Sequence, residues 1–258
     1  MPGVPPPWTR SAFSPGGGPG RVFLVLFSEQ PGLASPPISR ARHGVASVEP
    51  LKHLEVAVVG ADQAPEWIRG WTEGPLRNLA DRALGDDALR LPGVKSCVRI
   101  NGEVPDPADL THLQLMWGLA RAFLENGCFA VLDAHQARWF PGKDVMEWAP
   151  DRAFELGREV SVIFETDASP GYGHVVHTRG LAKFGRPDLL MLGAKPEDAD
   201  LAGRRLDALA TRLAMGERLV PGATLETLGG TALLEEYRPG ANAPDVQLNN
   251  DGLMLLMK

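Results

Sequence analysis

His174-Val-Val-His-Thr-Arg-Gly-Leu-Ala-Lys-Phe-Gly-Arg-Pro-Asp-Leu-Leu-Met-Leu-Gly193 sets two short apolar runs, Val175-Val176 and Leu189 to Leu192, on either side of a polar loop. Runs of this length bounded by Gly and Pro are too short for helices and read as buried strands. The segment is therefore a strand, a loop and a second strand. Gly180 and Gly185 mark places that need positive φ or a close approach, and Pro187 stiffens the entry to the second strand. Before this segment strands and helices alternate, and after it come one helix and a strand-rich tail. That order predicts an α+β fold, with mixed, largely antiparallel sheets covered by three or four helices, in one domain or two subdomains.

Upstream, Val22 to Phe27 is a continuous apolar run and reads as a buried strand. Residues 28–50 are rich in Pro and small side chains and read as a long loop. Leu54 to Val59 is the next strand. Residues 63–84 place Trp67, Ile68, Trp71, Leu76, Leu79 and Leu84 at helical spacing, and the Gly74-Pro75 pair splits them into two helices. Val94 to Ile100 reads as a strand, 107–126 as a helix capped by Asp106 or Asp109, and Cys128 to Leu132 as a short apolar strand. Downstream, 151–158 reads as a turn or two of helix and Val160 to Glu165 as a strand. Pro196 with Glu197, Asp198 and Asp200 starts a helix that ends at Gly216. Short strands are expected at 223–228, 231–237, 245–249 and 252–257.

The loop at 134–150 is the best internal boundary. It gives a subdomain at 21–133 and another at 134–258, which can also form one domain. Residues 1–20 are dominated by Pro and Gly and read as a flexible leader that buries little surface.

A chain of 258 residues with net charge −6 has ample apolar content for a core, and its acidity argues against affinity built on phosphate neutralisation. No nucleic-acid partner is expected. No run approaches a membrane span, and no apolar segment follows a basic start as in a secretory signal, so no membrane is expected and the compartment is read as cytoplasmic. Cys97 and Cys128 lie in apolar runs and read as buried reduced thiols.

Chemistry has three places to reside. Asp133 and His135 lie two apart at a strand exit and project to one side, and strand exits are common ligand sites. His174 and His177 lie between Asp167 and Asp188. Carboxylate and imidazole suit Zn, Fe or Mn, which makes His135, His174 and His177 the metal candidates and Asp133, His135 and His177 the acid–base candidates. The plainer reading is that these groups are hydrogen-bonded parts of the fold, since no His-Glu-x-x-His, Cys-x-x-Cys or Gly-x-Ser-x-Gly accompanies them. Arg179, Lys183 and Arg186 form a basic cluster that can hold a small anion, against the plainer reading of a solvated loop. The residues name no cofactor.

His177-Thr178-Arg179-Gly180-Leu181, followed by Phe184-Gly185-Arg186-Pro187-Asp188-Leu189, resembles a signature of bacterial domains of unknown function. There a His/Tyr-Thr-x-Gly-Leu/Met segment precedes Phe/Leu-Gly-x-Pro-Glu/Asp and an apolar strand. Ala120, the run Asn126-Gly127-Cys-Phe-Ala-Val-Leu-Asp133, the following helix, Gly216 and Pro221-Gly222 are also similar, so the likeness spans roughly 120–225. Asp188 stands where Glu is usual in one such family. The resemblance implies a bacterial origin and an α+β fold, and carries over no catalytic residue.

Two functions from different classes follow. The first is a non-enzymatic binding or regulatory protein, with a protein partner or a small anionic ligand. The second is a small-molecule hydrolase or metal-assisted enzyme with a pocket between Asp133/His135 and the His174–Asp188 loop.

Overall fold

The computed structural model describes residues 3–148, 153–169, 173–241, 246, 248 and 250–257. The fold is α+β, with two largely antiparallel sheets, and the chain divides into two compact units. The first unit comprises Met1–Thr9, Arg21–Val104 and Asp109–Phe154, and the second Arg10–Gly20, Pro105–Ala108 and Glu155–Lys258.

In the first unit the elements run β1 (Gly20–Ser28), α1 (Arg40–His43), β2 (Leu54–Gly60), α2 (Pro65–Thr72), α3 (Gly74–Ala83), β3 (Ser96–Val104), α4 (Thr111–Glu125), β4 (Ala130–Asp133), β5 (Arg138–Pro141) and α5 (Gly142–Glu147). The helical pattern at 63–84 does break at Gly74, whose φ of 65° suits glycine. Short 3-10 turns at Glu49–His53 and Gly85–Gly93 fill stretches whose sequence shows no clear period.

The five strands are ordered β2-β3-β1-β4-β5. β1 lies at the centre, and Leu24, Val25, Leu26 and Phe27 are fully buried, which is why its sequence is apolar at every position rather than alternating. Val25 and Phe27 pack with Ile68, Ala80, Leu91, Leu132 and Trp139 in one cluster, with Trp67 and Trp71 against its edge. Alternation along a strand sends Leu24 and Leu26 to the other face. Helix α4 packs against β3 and buries nearly its whole circumference, Trp117 included. Asp109 accepts from the Thr111 N–H and hydroxyl at the start of this helix.

In the second unit follow α6 (Leu156–Glu159), β6 (Ser161–Ser169), β7 (Gly173–Arg179), β8 (Asp188–Ala194), α7 (Ala199–Ala214), β9 (Thr224–Thr227), β10 (Gly230–Glu236) and β11 (Gly252–Met257). The sheet order is β6-β7-β8-β11-β10-β9, and among the described residues its one parallel pairing is β8–β11. Helix α7 packs on β6, β7 and β8. Val175, Leu190 and Met254 form a second apolar cluster with Val246. The strand expected at 245–249 and the start of the helix expected at 151–158 fall largely outside the described residues.

Two expectations need correction. The boundary placed at 134 lies instead after Phe154, because β5 pairs with β4 as a hairpin and so belongs to the first sheet. The stretch at 1–20 does bury surface. Trp8 is 5% exposed, stacks 6.2 Å from Trp148, and receives its backbone N–H acceptor from Gln114. Pro- and Gly-rich composition describes the average of that stretch and hides its one Trp and the buried Arg10.

Candidate functional site

The quoted segment folds as read. Val175-Val176 lies in β7 and Leu189 to Leu192 in β8, with a 3-10 turn at Leu181–Phe184 between them. Gly180 and Gly185 flank that turn at φ 118° and 63°, conformations that disfavour side chains with a Cβ. A Cβ on Gly185 would also fall 2.0 Å from the Gly18 carbonyl oxygen, so the position needs Gly twice over.

Asp188, at the start of β8, ties the ends of the segment together. One carboxylate oxygen accepts from the Thr178 hydroxyl at 2.9 Å and the Leu181 N–H at 3.3 Å, and the other accepts from the Asn250 amide at 3.1 Å. The Thr178 oxygen in turn accepts from the Leu189 N–H. Burial pushes the Asp188 carboxyl up to about 6, against the opposing pull of the Asn250, Thr178 and Leu181 bonds and of His177.

The basic cluster faces inward. Lys183 is fully buried and donates to Glu159, also fully buried, at 2.5 Å. Arg186 is 3% exposed, and its five N–H donors reach Glu217, Gly185, Ser14 and Gly216 carbonyls and the Asp106 carboxylate. Arg10 caps the same helix end, donating to the Leu213 and Ala214 carbonyls and to Pro107. Carbonyls in the last turn of α7 lack intrahelical partners, and a buried guanidinium satisfies them while opposing the negative end of the helix dipole. Burial lowers the Arg10 guanidinium to about 10, with repulsion from Arg186 adding and Asp106 opposing. Partial burial pushes Asp106 up, but bonds from the Gly16 and Gly17 N–H groups and Arg186 outweigh it and hold the carboxyl below its ordinary value.

The anion-binding expectation for Lys183 and Arg186 is therefore corrected: both charges are spent inside the unit on a carboxylate and on backbone oxygens. Arg179 lies at the end of β7, half-buried.

The imidazoles have local roles. His177 is 1% exposed, with Nε2 2.9 Å from a Glu165 carboxylate oxygen and Nδ1 3.2 Å from the Thr178 carbonyl oxygen. Both ring nitrogens thus face oxygen acceptors. His174 packs its ring against Phe164, centroids 5.3 Å apart. In the first unit Asp133, fully buried, accepts from the His135 N–H at 2.9 Å, the Gln136 N–H at 3.2 Å and the Gln136 amide at 3.1 Å. That is an Asx-type turn closing the β4–β5 hairpin, where Ala137 takes φ 53°. His135 is half-buried and contributes its backbone to that turn. Among the described residues no group of three or more His, Cys, Asp or Glu side chains is arranged to hold a metal ion. Asp133 and His135 belong to the first unit and His174 to Asp188 to the second.

Cys97 and Cys128 are free and buried, and burial pushes both thiols up, Cys128 to about 12, which makes them poor nucleophiles. Among the described residues no helix is long and apolar enough to cross a membrane.

Partners that the sequence alone did not suggest are Glu159, Glu165, Asn250, Asp106 and Arg10. Nothing in their local sequence marks them, because each acquires its role from a residue distant along the chain.

Concave space lies elsewhere. In the first unit a cleft of about 570 Å³ opens beside the end of β2, lined by Pro31, Val58, Gly60, Ala61, Asp62 and Lys95 among others. In the second unit one of about 480 Å³ is lined by Pro221, Leu233, Glu235 and Arg238 among others.

No protein family matches the chain, and no curated protein or solved structure is significantly similar to it.

Proposed function

We propose that this is a non-enzymatic binding or regulatory protein of bacterial origin that works in the cytoplasm and engages a protein partner. One observation carries the reading. The groups with the chemistry for catalysis or anion capture are committed to the protein itself: Asp133 to a hairpin turn, Lys183 to Glu159, Arg186 to backbone carbonyls, and Asp188 to the strand ends it joins. Such commitments rigidify a fold, and they leave recognition to backbone edges and open clefts rather than to an enclosed reactive centre. Of the two partner classes, a protein fits better than a small anion, since Lys183 and Arg186 are turned inward.

The test is a turnover screen on ester, amide, phosphate and glycoside substrates, with and without added Zn and Mn. The expected result is no reaction above buffer. Turnover that His177→Gln or Asp133→Asn abolishes, in a variant that still melts cooperatively, overturns the reading.

A further inference from the structure

We infer that the cleft beside the end of β2 binds a small zwitterion, an α-amino acid with an aliphatic side chain.

The cleft is built from two pinned pieces of backbone. The turn after β2 is closed twice, by the Gln63 and Ala64 N–H groups donating to the Gly60 carbonyl at 3.1 and 3.0 Å. Lys95, just before β3, is held from both sides. Its N–H donates to the Ser28 carbonyl at 2.9 Å, and its carbonyl accepts from the Ala61 N–H at 2.8 Å. Side chains that leave these two pieces therefore start from fixed points. The loop after β1 completes the rim with Pro31 and Gly32.

The lining carries both signs of charge. Asp62, Gln63 and Lys95 line the cleft together with Pro31, Val58 and Ala61. Asp62 is set close over the backbone. A Cβ on Gly60 would lie 2.4 Å from its Oδ1, so the carboxylate takes up room that glycine leaves at that position. Among the described residues, Asp62, Gln63 and Lys95 have no side-chain hydrogen-bond or ion-pair partner. Glu29, two residues before Pro31, is by contrast paired with Arg90.

The ligand class follows from that set. An acid and a base that share a cleft without pairing are complemented by a molecule carrying the opposite charge at each end. The ligand's ammonium goes to Asp62. Its carboxylate goes to Lys95, and the Gln63 amide donates to it as well. Pro31 with the half-buried Val58 and Ala61 supplies an apolar wall, which selects an aliphatic side chain. The volume of about 570 Å³ suits a small molecule. Asp62 and Lys95 are exposed, so water and salt screen each contact and the affinity is modest. The site goes beyond the protein partner proposed above and stands without it.

Titration of the full chain with L-leucine, followed by the amide chemical shifts of nitrogen-labelled protein, tests this. L-leucine is expected to saturate with a Kd on the order of 0.1–1 mM and to move the Gly32, Gly60, Ala61 and Gln63 amides. Leucinamide lacks the carboxylate and isocaproate lacks the ammonium, and each is expected to bind roughly tenfold more weakly. Lys95→Met is expected to weaken L-leucine roughly tenfold and to leave leucinamide unchanged. Asp62→Asn is expected to weaken L-leucine by a similar factor and to leave isocaproate unchanged. Both side chains are exposed and unpaired, so both variants should melt like wild type. No saturable shift up to about 10 mM L-leucine overturns the inference, and so do shifts that miss the cleft amides. Analogues that bind as tightly as L-leucine overturn it too, as does L-leucine binding unchanged in both variants.

Discussion

The centre of the first sheet and the β7–β8 connection of the second bury different kinds of side chain. In the first, β1 places Leu24, Val25, Leu26 and Phe27 at zero exposure, and the stability there comes from apolar area withdrawn from water. In the second, the β7–β8 connection encloses Lys183, Glu159, Asp188 and Arg186, each at 3% exposure or less. A buried charge is costly by itself and becomes tolerable only through its partner. The first sheet therefore distributes its stability over many interchangeable contacts. The connection in the second concentrates it in a few pairs, where loss of one member strands the other. In that segment Lys183, Arg186 and Asp188 tie the strand ends to Glu159, to the end of α7 and to Asn250.

The largest expected effect tests that concentration. Lys183→Met leaves Glu159 buried without its ammonium partner and should cost about 3–5 kcal/mol in chemical denaturation. Lys183→Met combined with Glu159→Leu should regain most of that. A single substitution costing less than about 1 kcal/mol, as an exposed pair would, breaks the contrast between the apolar centre of the first sheet and the charged connection.

A smaller effect is expected at the joint's backbone. Gly180→Val forces a branched residue to φ 118° and should destabilise by at least ~1 kcal/mol. An unchanged melting temperature would mean that the turn relaxes freely and that the joint is not rigid.

The smallest is a dependence on pH. Asp188 has its folded value raised to about 6 from an ordinary 3.8. The folded state then binds a proton more tightly than the unfolded one, so this contribution to stability is complete below about pH 4 and is lost as pH rises through about 6. Asp188→Asn keeps the neutral shape and removes the titration. The melting temperature of the variant relative to wild type should climb between about pH 4 and 7. Parallel profiles would place the Asp188 titration elsewhere.

Much of the fold was legible in the residues. Val22 to Phe27, Leu189 to Leu192 and the split at Gly74-Pro75 each announced themselves through periodicity or a backbone restriction, and the structure places β1, β8, α2 and α3 there. The turn glycines 180 and 185 were also readable, because positive φ is a property of the position that favours Gly. The leader was misread because composition averages over Trp8 and Arg10, whose burial depends on Gln114 and on the end of α7.

What the sequence determined by itself is local: which runs form strands or helices, where the chain turns, and that the whole is an acidic α+β protein. Each of those follows from a residue's own propensity or its apolar area. What only the tertiary structure decided is pairing. His177 with Glu165, Lys183 with Glu159, Arg186 with the end of α7, and the strand β2 left open at its edge are all relations between positions far apart in the chain. A polar side chain carries no mark of whether it will meet a carboxylate, a carbonyl or water, and that choice separates a joint of the fold from a site.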